Sequence, residues 1–441
     1  MTIPYDAIII GTGQAGPPLA RRLASAGKKV AIIERKLFGG TCVNTGCIPT
    51  KTMVASAYAT HLARRAADFG VATGGPVIVD MKAVKARKDS ISGKSRIGLE
   101  TNLKSTENIT VYEGHARFQS PHEVAVGDET LMAEQIFINV GGRAIIPTIA
   151  GLDKIPHFTN SSLLDIDFLP RHLVVVGGSY VGLEFAQMFR RFGSEVTVLE
   201  MGPRLIERED EDISAAVKDI LENEGINIRL NEKCVTLPND ASHALLAVGR
   251  RPNTDDLGLE KAGVFTDDHG YIAVDDQLRT GVPGIWAMGD CNGKGGFTHT
   301  SYNDFEIVAA NLLDNDPRRV SDRIHTYALY IDPPLGRAGM TEAEVRATGR
   351  KALIGQRPMT KVGRAVEKGE TQGFMKVLVD AQSNQILGAA ILGTGGDEAI
   401  HCILDIMYAK APYTVIQRAV HIHPTVSELI PTMLGELKPL E

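Results

Sequence analysis

A buried strand, a glycine-rich turn, a helix, a second strand and an acidic residue follow one another twice in this chain, in the same order. In the first copy an apolar strand over 7–10 runs into Gly11-x-Gly13-x-x-Gly16, then an alanine-rich helix over 17–25, a strand over 30–33 and Glu34. The first glycine makes the tight turn, the second lets the backbone approach a pyrophosphate, and the third allows the helix to pack closely. Free N–H groups at the helix start then suit a phosphate, and the acid suits ribose hydroxyls. The second copy has a strand over 173–176, the turn Gly177-Gly178-Ser179-Tyr180-Val181-Gly182, a helix over 182–192, a strand over 195–199 and Glu200. Ser179 stands at its middle glycine position. The repeat predicts two Rossmann-like α/β units and hence two nucleotides. Glu200 favours NADH by repelling a 2′-phosphate, whereas Arg204 and Arg208 nearby leave NADPH open.

The rest of the chain arranges itself around this repeat. A strand over 134–140 closes into Gly141 and Gly142, residues 150–156 cross into the second unit, and a strand over 282–290 ends in Gly289-Asp290. From about residue 321 the pattern changes to α+β, with strands over 326–331, 373–379 and 386–392 and a helix over 396–409. The expected division is 1–150 for the first unit, 151–281 for the second, 282–320 for a return to the first, and 321–441 for a third domain. With 441 residues, 43% of them apolar and 23% charged, each unit has enough material for a core, which excludes a disordered chain. A formal charge of -6 gives no reason to expect nucleic acid or an anionic membrane surface as partner. The basic run 82–104 reads as a solvated helix face. No apolar run approaches the roughly 20 residues of a membrane helix, and the N-terminus lacks a basic leader, so a cytoplasmic address is expected.

Five cysteines, Cys42, Cys47, Cys234, Cys291 and Cys402, do not suit a disulfide framework. The segment Gly40-Thr41-Cys42-Val43-Asn44-Thr45-Gly46-Cys47-Ile48-Pro49-Thr50-Lys51 puts two of them directly after the first half-unit. In an ideal helix five residues turn through about 500°, leaving these thiols roughly 140° apart, so pairing them needs a distorted turn, which Gly46 and Pro49 permit. A thiolate at a helix start is stabilised by free N–H groups. The pair reads as a redox dithiol. A metal site would want two further soft ligands, which the neighbourhood does not offer. The other three cysteines read as structural, with Cys291 notable for its place beside Asp290. Near the C-terminus, His421-Ile422-His423-Pro424-Thr425-Val426-Ser427-Glu428 offers an imidazole and a carboxylate to orient it, as proton transfer to and from thiols requires.

Together, Gly11 to Gly16, Cys42 and Cys47 with Lys51, Gly177 to Glu184, Gly289-Asp290 and His423-Pro424-Thr425 to Glu428 resemble the class I pyridine nucleotide-disulfide oxidoreductases over nearly the whole chain. Cys42 to Lys51 and Thr298 to Asp304 look most like the mercuric-reductase-like branch. The resemblance implies FAD in the first unit, with Asp290 on its ribitol side and Thr298, His115 and Ala116 near it. It places Lys51 by the flavin ring, paired with Glu184. Thr41 and Gly142 join the same site, and Gly249 in Ala247-Val248-Gly249-Arg250 also matches the family. The resemblance makes Cys47 the flavin-proximal sulfur and Cys42 the thiol that meets substrate. His423 and Glu428 would complete the site from the other subunit of a homodimer. The implied cycle takes a hydride from NADH or NADPH, passes electrons to a Cys42–Cys47 disulfide, and delivers them to a disulfide, an oxidant or a soft metal ion. Tyr180 would cover the flavin face.

Two departures carry their own expectations. The tail 435–441 has no cysteine pair to hand a metal inward, so efficient mercury reduction is not expected. Residues 231–244 are too few for the multi-stranded excursion that family members place there, so the second unit should lack strands covering its sheet, and nicotinamide binding is the step most exposed. Two other readings stay open. In one, the flavin reduces quinones or oxygen directly as an NAD(P)H diaphorase or oxidase; in the other, the chain binds FAD but not nicotinamide.

Overall fold

The computed structural model describes residues 2–234 and 236–441. Its first sheet has five parallel strands in the order Ile285–Ala287, Gln135–Ile138, Ala7–Ile10, Val30–Glu34 and Ile109–Glu113. Every residue of Ala7–Ile10 is buried, as expected for a parallel strand covered on both faces. Neighbours are added first on one side of this strand and later on the other, which opens a crevice at its carboxyl end, where open α/β sheets bind ligands. A second sheet repeats the plan with His157–Phe158, His243–Leu246, His172–Val176, Glu195–Leu199 and Asn227–Arg229, all parallel. The helices Tyr180–Phe192 and Glu211–Asn223 pack on one of its faces.

The third layer is a six-stranded antiparallel sheet with the helix Gly396–Tyr408 packed on it. Three of its strands, Leu335–Gly339, Ala352–Pro358 and the short Lys438–Pro439, were not expected from the sequence. A small sheet of Thr2–Pro4, Glu129–Met132, Glu123–Val126 and Ala116–Ser120 was also missed. The strand expected over 282–290 is confined to Ile285–Ala287, because Gly289–Asn292 turns into a 3-10 helix that lifts Asp290 out of the sheet. The second glycine turn passes into helix at Tyr180 rather than at Gly182.

The basic run lies on the helix Met81–Ser105, and most of its lysines and arginines do face solvent. Lys88 is the exception: it is buried and reaches Asp89 at 2.6 Å and Asp165 at 3.2 Å. Between Arg229 and His243 the described residues form no strand of the second sheet. The open face of that sheet is covered instead by Leu237, Ala241 and Cys234, which join Ile149 and Leu152 against Val174, Val176, Leu199 and Leu246.

The second unit is joined to the antiparallel sheet by a buried charge network. Arg337, 1% exposed, pairs with Glu209 and lies 3.0 Å from Asp210. Lys376 sits 2.9 Å from Asp210, 2.6 Å from Asp212 and 2.8 Å from Glu342, so an ammonium fills the space among three carboxylates. Charges this deep persist only when mutually compensated.

Candidate active site

The two cysteines belong to separate helices. Cys42 lies in the short helix Gly40–Asn44 and Cys47 opens the long helix Cys47–Arg64, with the chain breaking at Thr45 and Gly46. The distortion expected inside one helix is therefore a junction between two. Gly46 makes it possible, since a Cβ there would press within 2.8 Å of the Thr41 carbonyl oxygen. Pro49 does not distort the turn; it occupies the first turn of the new helix, where its missing N–H costs nothing.

Both thiols are free, and their protons are unequally held. The Cys42 thiol donates toward the Cys47 sulfur, and this bond together with burial pushes the Cys42 thiol well above its ordinary range. The same bond pulls Cys47 down to about 6 against the opposing effect of burial, helped by the Thr298 hydroxyl and the Lys51 ammonium. Thr298 Oγ1 stands 3.1 Å from Cys47 Sγ. Lys51, one turn along from Cys47, is 2.6 Å from Glu184, whose carboxylate is 3% exposed.

These groups open into one cleft of about 1010 Å³. It starts at Gly11, Gly13 and Glu34, passes Thr41, Cys42 and Cys47, and ends among Lys51, Asp290, Thr298 and Glu184, with His115, Ala116 and Gly142 also on its wall. Gly16 lies beneath the turn and donates its N–H to Asn139 Oδ1 at 3.0 Å. His115 turns its ring to the Asp256 carbonyl at 3.0 Å. The Glu34 carboxylate folds back on its own turn, accepting from Thr12 N at 3.1 Å and Thr12 Oγ1 at 2.5 Å. Burial raises the Asp290 carboxyl, which faces Arg250 at 3.9 Å. The cleft suits a dinucleotide in size and in polarity. Its glycine cradle is tight: a Cβ at Gly13 would meet Asn139 Oδ1 at 2.8 Å.

The second turn repeats this arrangement outside the cleft. Glu200 accepts from Gly178 N and Gly202 N, each at 2.7 Å. Gly177, at φ 113°, makes the bend, Ser179 in extended backbone precedes the helix, and Gly182 inside the helix packs so closely on the turn that a Cβ would collide with the Gly177 carbonyl oxygen. Gly249, at φ 126°, leads into Arg250–Pro252, which pairs antiparallel with Gly142–Ala144 and links the two units. The two arginines read as possible phosphate partners are engaged elsewhere. Arg204 donates to the Glu207 carbonyl at 2.8 Å, and Arg208 lies over the rings of Tyr180 and Tyr327. Tyr180 itself packs against Phe297 on the cleft wall.

His423 and Glu428 are joined through Nδ1 at 2.9 Å, but the imidazole is 78% exposed and lies outside the cleft of its own chain. Cys291 is buried against the Met288 carbonyl at 3.3 Å, away from the cleft lining. Sequence reasoning missed two structural residues of the site. Asn139 bonds both the first glycine turn and the Met288 carbonyl at 2.9 Å, tying that turn to the Asp290 segment. Arg250 donates to the Gly142 carbonyl and to Thr41 Oγ1 at 3.3 Å. Asn139 lies in no spaced motif, and Arg250, although it stands with Gly249 in the segment that matches the family, had no role given to it.

Comparison with known proteins decides the family. Residues 5–304 match the family model for pyridine nucleotide-disulphide oxidoreductases, and residues 326–434 match that family's dimerisation domain. The chain belongs to the pyridine nucleotide-disulphide oxidoreductases. It is 36% identical to the probable pyridine nucleotide-disulfide oxidoreductase RclA of Escherichia coli, over 98% of this chain and 99% of that protein. It is 32% identical to a mercuric reductase of Streptomyces lividans, over 97% of this chain and 94% of that one. A solved Cu(II) complex of the HOCl-induced flavoprotein disulfide reductase RclA from Escherichia coli superposes with a TM-score of 0.90 at 34% identity, covering 98% and 99% of the two chains. The enzymes of this family are FAD-dependent and use NAD(P)H, and the dimerisation domain supports a homodimer. None of the helices described is long and apolar enough to cross a membrane.

Proposed function

We propose that this chain is an FAD-dependent NAD(P)H reductase that delivers electrons through Cys42 and Cys47 to a disulfide, an oxidant or a soft metal ion, with Cu(II) among the metal acceptors. The observation that carries the reading is the placing of Cys47. It sits at a helix start against Thr298 and near Lys51, its thiol is lowered to about 6, and it shares one cleft with the first glycine turn. The copper complex of the Escherichia coli relative supports the metal arm.

When bound, FAD would relay two electrons between a nicotinamide and the cysteine pair. Gly11, Gly13, Glu34, Thr41, His115, Ala116, Gly142, Asp290 and Thr298 would hold it in the cleft, with Gly16 packing the helix behind. Gly177, Ser179, Gly182, Glu200 and Gly249 would hold the nicotinamide coenzyme. Glu200 makes that coenzyme NADH, because a 2′-phosphate would meet its charge while Arg204 and Arg208 are turned to other partners. Residues 1–150 and 282–320 form the FAD-binding domain, 151–281 the NAD(P)-binding domain and 321–441 the dimerisation domain.

Glu184 holds the Lys51 ammonium near Cys47, and that ammonium helps to keep the thiolate. Cys42 holds the remaining proton and meets the acceptor. Forming the Cys42–Cys47 disulfide from one thiol and one thiolate releases two electrons and one proton; a disulfide acceptor takes these up and needs a second proton to leave as two thiols. His423, oriented by Glu428 and contributed across the dimer, would carry one of those protons. The unpaired cysteines suit a reducing cytoplasm.

The test is an anaerobic titration with NADH and separately with NADPH. Reduction of the flavin, with a long-wavelength thiolate absorption that vanishes in Cys47→Ser, supports the reading. A flavin that neither coenzyme reduces sinks it in favour of a flavin-binding protein.

A further inference from the structure

Lys51 is held by more than its carboxylate. Its ammonium lies 4.6 Å from the centre of the Tyr330 ring, within range of a cation–π contact. The backbone N–H of Tyr330 also donates to Glu184 Oε1 at 2.9 Å, while Lys51 holds Glu184 Oε2 at 2.6 Å. One residue therefore grips both members of the ion pair, the base through its ring and the acid through its backbone. The three residues come from different parts of the chain: Lys51 from the helix that Cys47 opens, Glu184 from the helix after the second glycine turn, and Tyr330 from the segment following the strand Thr326–Leu329 of the antiparallel sheet. Tyr330 also lines the cleft of the dithiol. Besides the Lys51 ammonium, the charged groups that face it are Asp397, Glu184, Cys47 and Glu398; burial first and then these negative charges raise its phenol, which stays protonated and neutral.

We propose that Tyr330 is a positioning residue: its ring, brought in by the C-terminal domain, fixes the Lys51 ammonium beside Cys47, so that the dithiol is set for electron transfer only when that domain is docked. The inference rests on the reading of Cys47 as a thiolate next to bound FAD. A leucine or methionine at 330 keeps the backbone bond to Glu184 and removes the ring. A phenylalanine keeps the ring and removes only the hydroxyl.

The experiment uses the flavin-loaded dimer carrying Cys42→Ser, in which Cys47 titrates alone. Two signals are followed against pH, the long-wavelength thiolate–flavin absorption and the ultraviolet absorbance of the thiolate itself. Tyr330→Leu and Tyr330→Met should each raise the Cys47 midpoint by about half a unit, the size of a lost, partly exposed cation–π contact. Tyr330→Phe should leave it in place. If the Leu variant fails to retain flavin, the Met and Phe variants decide between them. An unmoved midpoint in the Leu and Met variants overturns the proposal. So does a shift in Tyr330→Phe as large as theirs, which would assign the effect to the hydroxyl. Absence of the long-wavelength signal in Cys42→Ser with Tyr330 intact counts against the flavin reading instead, and the ultraviolet titration still reports on Tyr330.

Discussion

Cys42 and Cys47 are the same chemical group five positions apart, yet their surroundings push their protons in opposite directions. The consequence is measurable. Because Cys47 is lowered from 9.0 to about 6, its thiolate persists above that pH and is lost as the pH falls through it, so the long-wavelength absorption of the reduced enzyme should fade below about pH 6. A midpoint near 9 would show that neither the Cys42 thiol nor Thr298 nor Lys51 acts on it. Replacing Cys42 with Ser should cut disulfide or copper reduction by about a thousandfold or more, since the thiol that meets the acceptor is gone. Quinone reduction at the flavin should survive. Loss of both activities together would instead mean that the variant has lost its flavin or its coenzyme.

Turns and helix starts carry the next layer of the argument. In both repeats the acid closing the second strand bonds back to its own glycine turn, Glu34 to Thr12 and Glu200 to Gly178. Glu200→Gln should therefore relax the preference for NADH over NADPH by about tenfold, equivalent to ~1.4 kcal/mol, read as a ratio of kcat/KM values. An unchanged ratio would place coenzyme choice elsewhere. Asn139 pins the first turn to the segment carrying Asp290 through two buried bonds. Asn139→Ala leaves Gly16 N and the Met288 carbonyl without those partners and should cost about 1–3 kcal/mol, with flavin released at lower denaturant than in the parent. These links were not legible beforehand, because a hydrogen bond across 123 positions leaves no periodic trace.

For the protein as a whole, stability depends on how the second unit meets the antiparallel sheet. Arg337→Met alone leaves the buried Glu209 without its cation, while Asp210 keeps Lys376, and should destabilise by about 3–5 kcal/mol, measured by thermal or denaturant unfolding. If that variant unfolds like the parent, the network is not holding the units together. The dimer has an equally plain expectation. A heterodimer of one Cys42→Ser chain and one His423→Ala chain should retain about half the activity if His423 serves the other subunit's dithiol, because one intact site remains. Activity near zero in the heterodimer would mean that each chain uses its own histidine.

The repeat of strand, glycine turn, helix, strand and acid was readable from residue types alone, and so was the dithiol, because both depend on local backbone demands: turns only glycine makes easily, a helix start, a spacing of five. The same locality explains the failures. The strands Leu335–Gly339 and Ala352–Pro358 and the small sheet around Glu123–Val126 take their register from partners distant in the chain, and nothing in their own residues announces those partners. Lys88 was read as solvated because it stands in a basic run; Asp165, 77 positions away, helps to hold it in the interior. What sets Cys47 apart from Cys42 starts with the hydrogen bond between them, and Thr298, 251 positions from Cys47, reaches its sulfur only through folding. Local sequence could specify which chemistry the chain carries. The proton on each sulfur is settled by charges and dipoles within a few ångströms in space, and their distance along the chain does not enter.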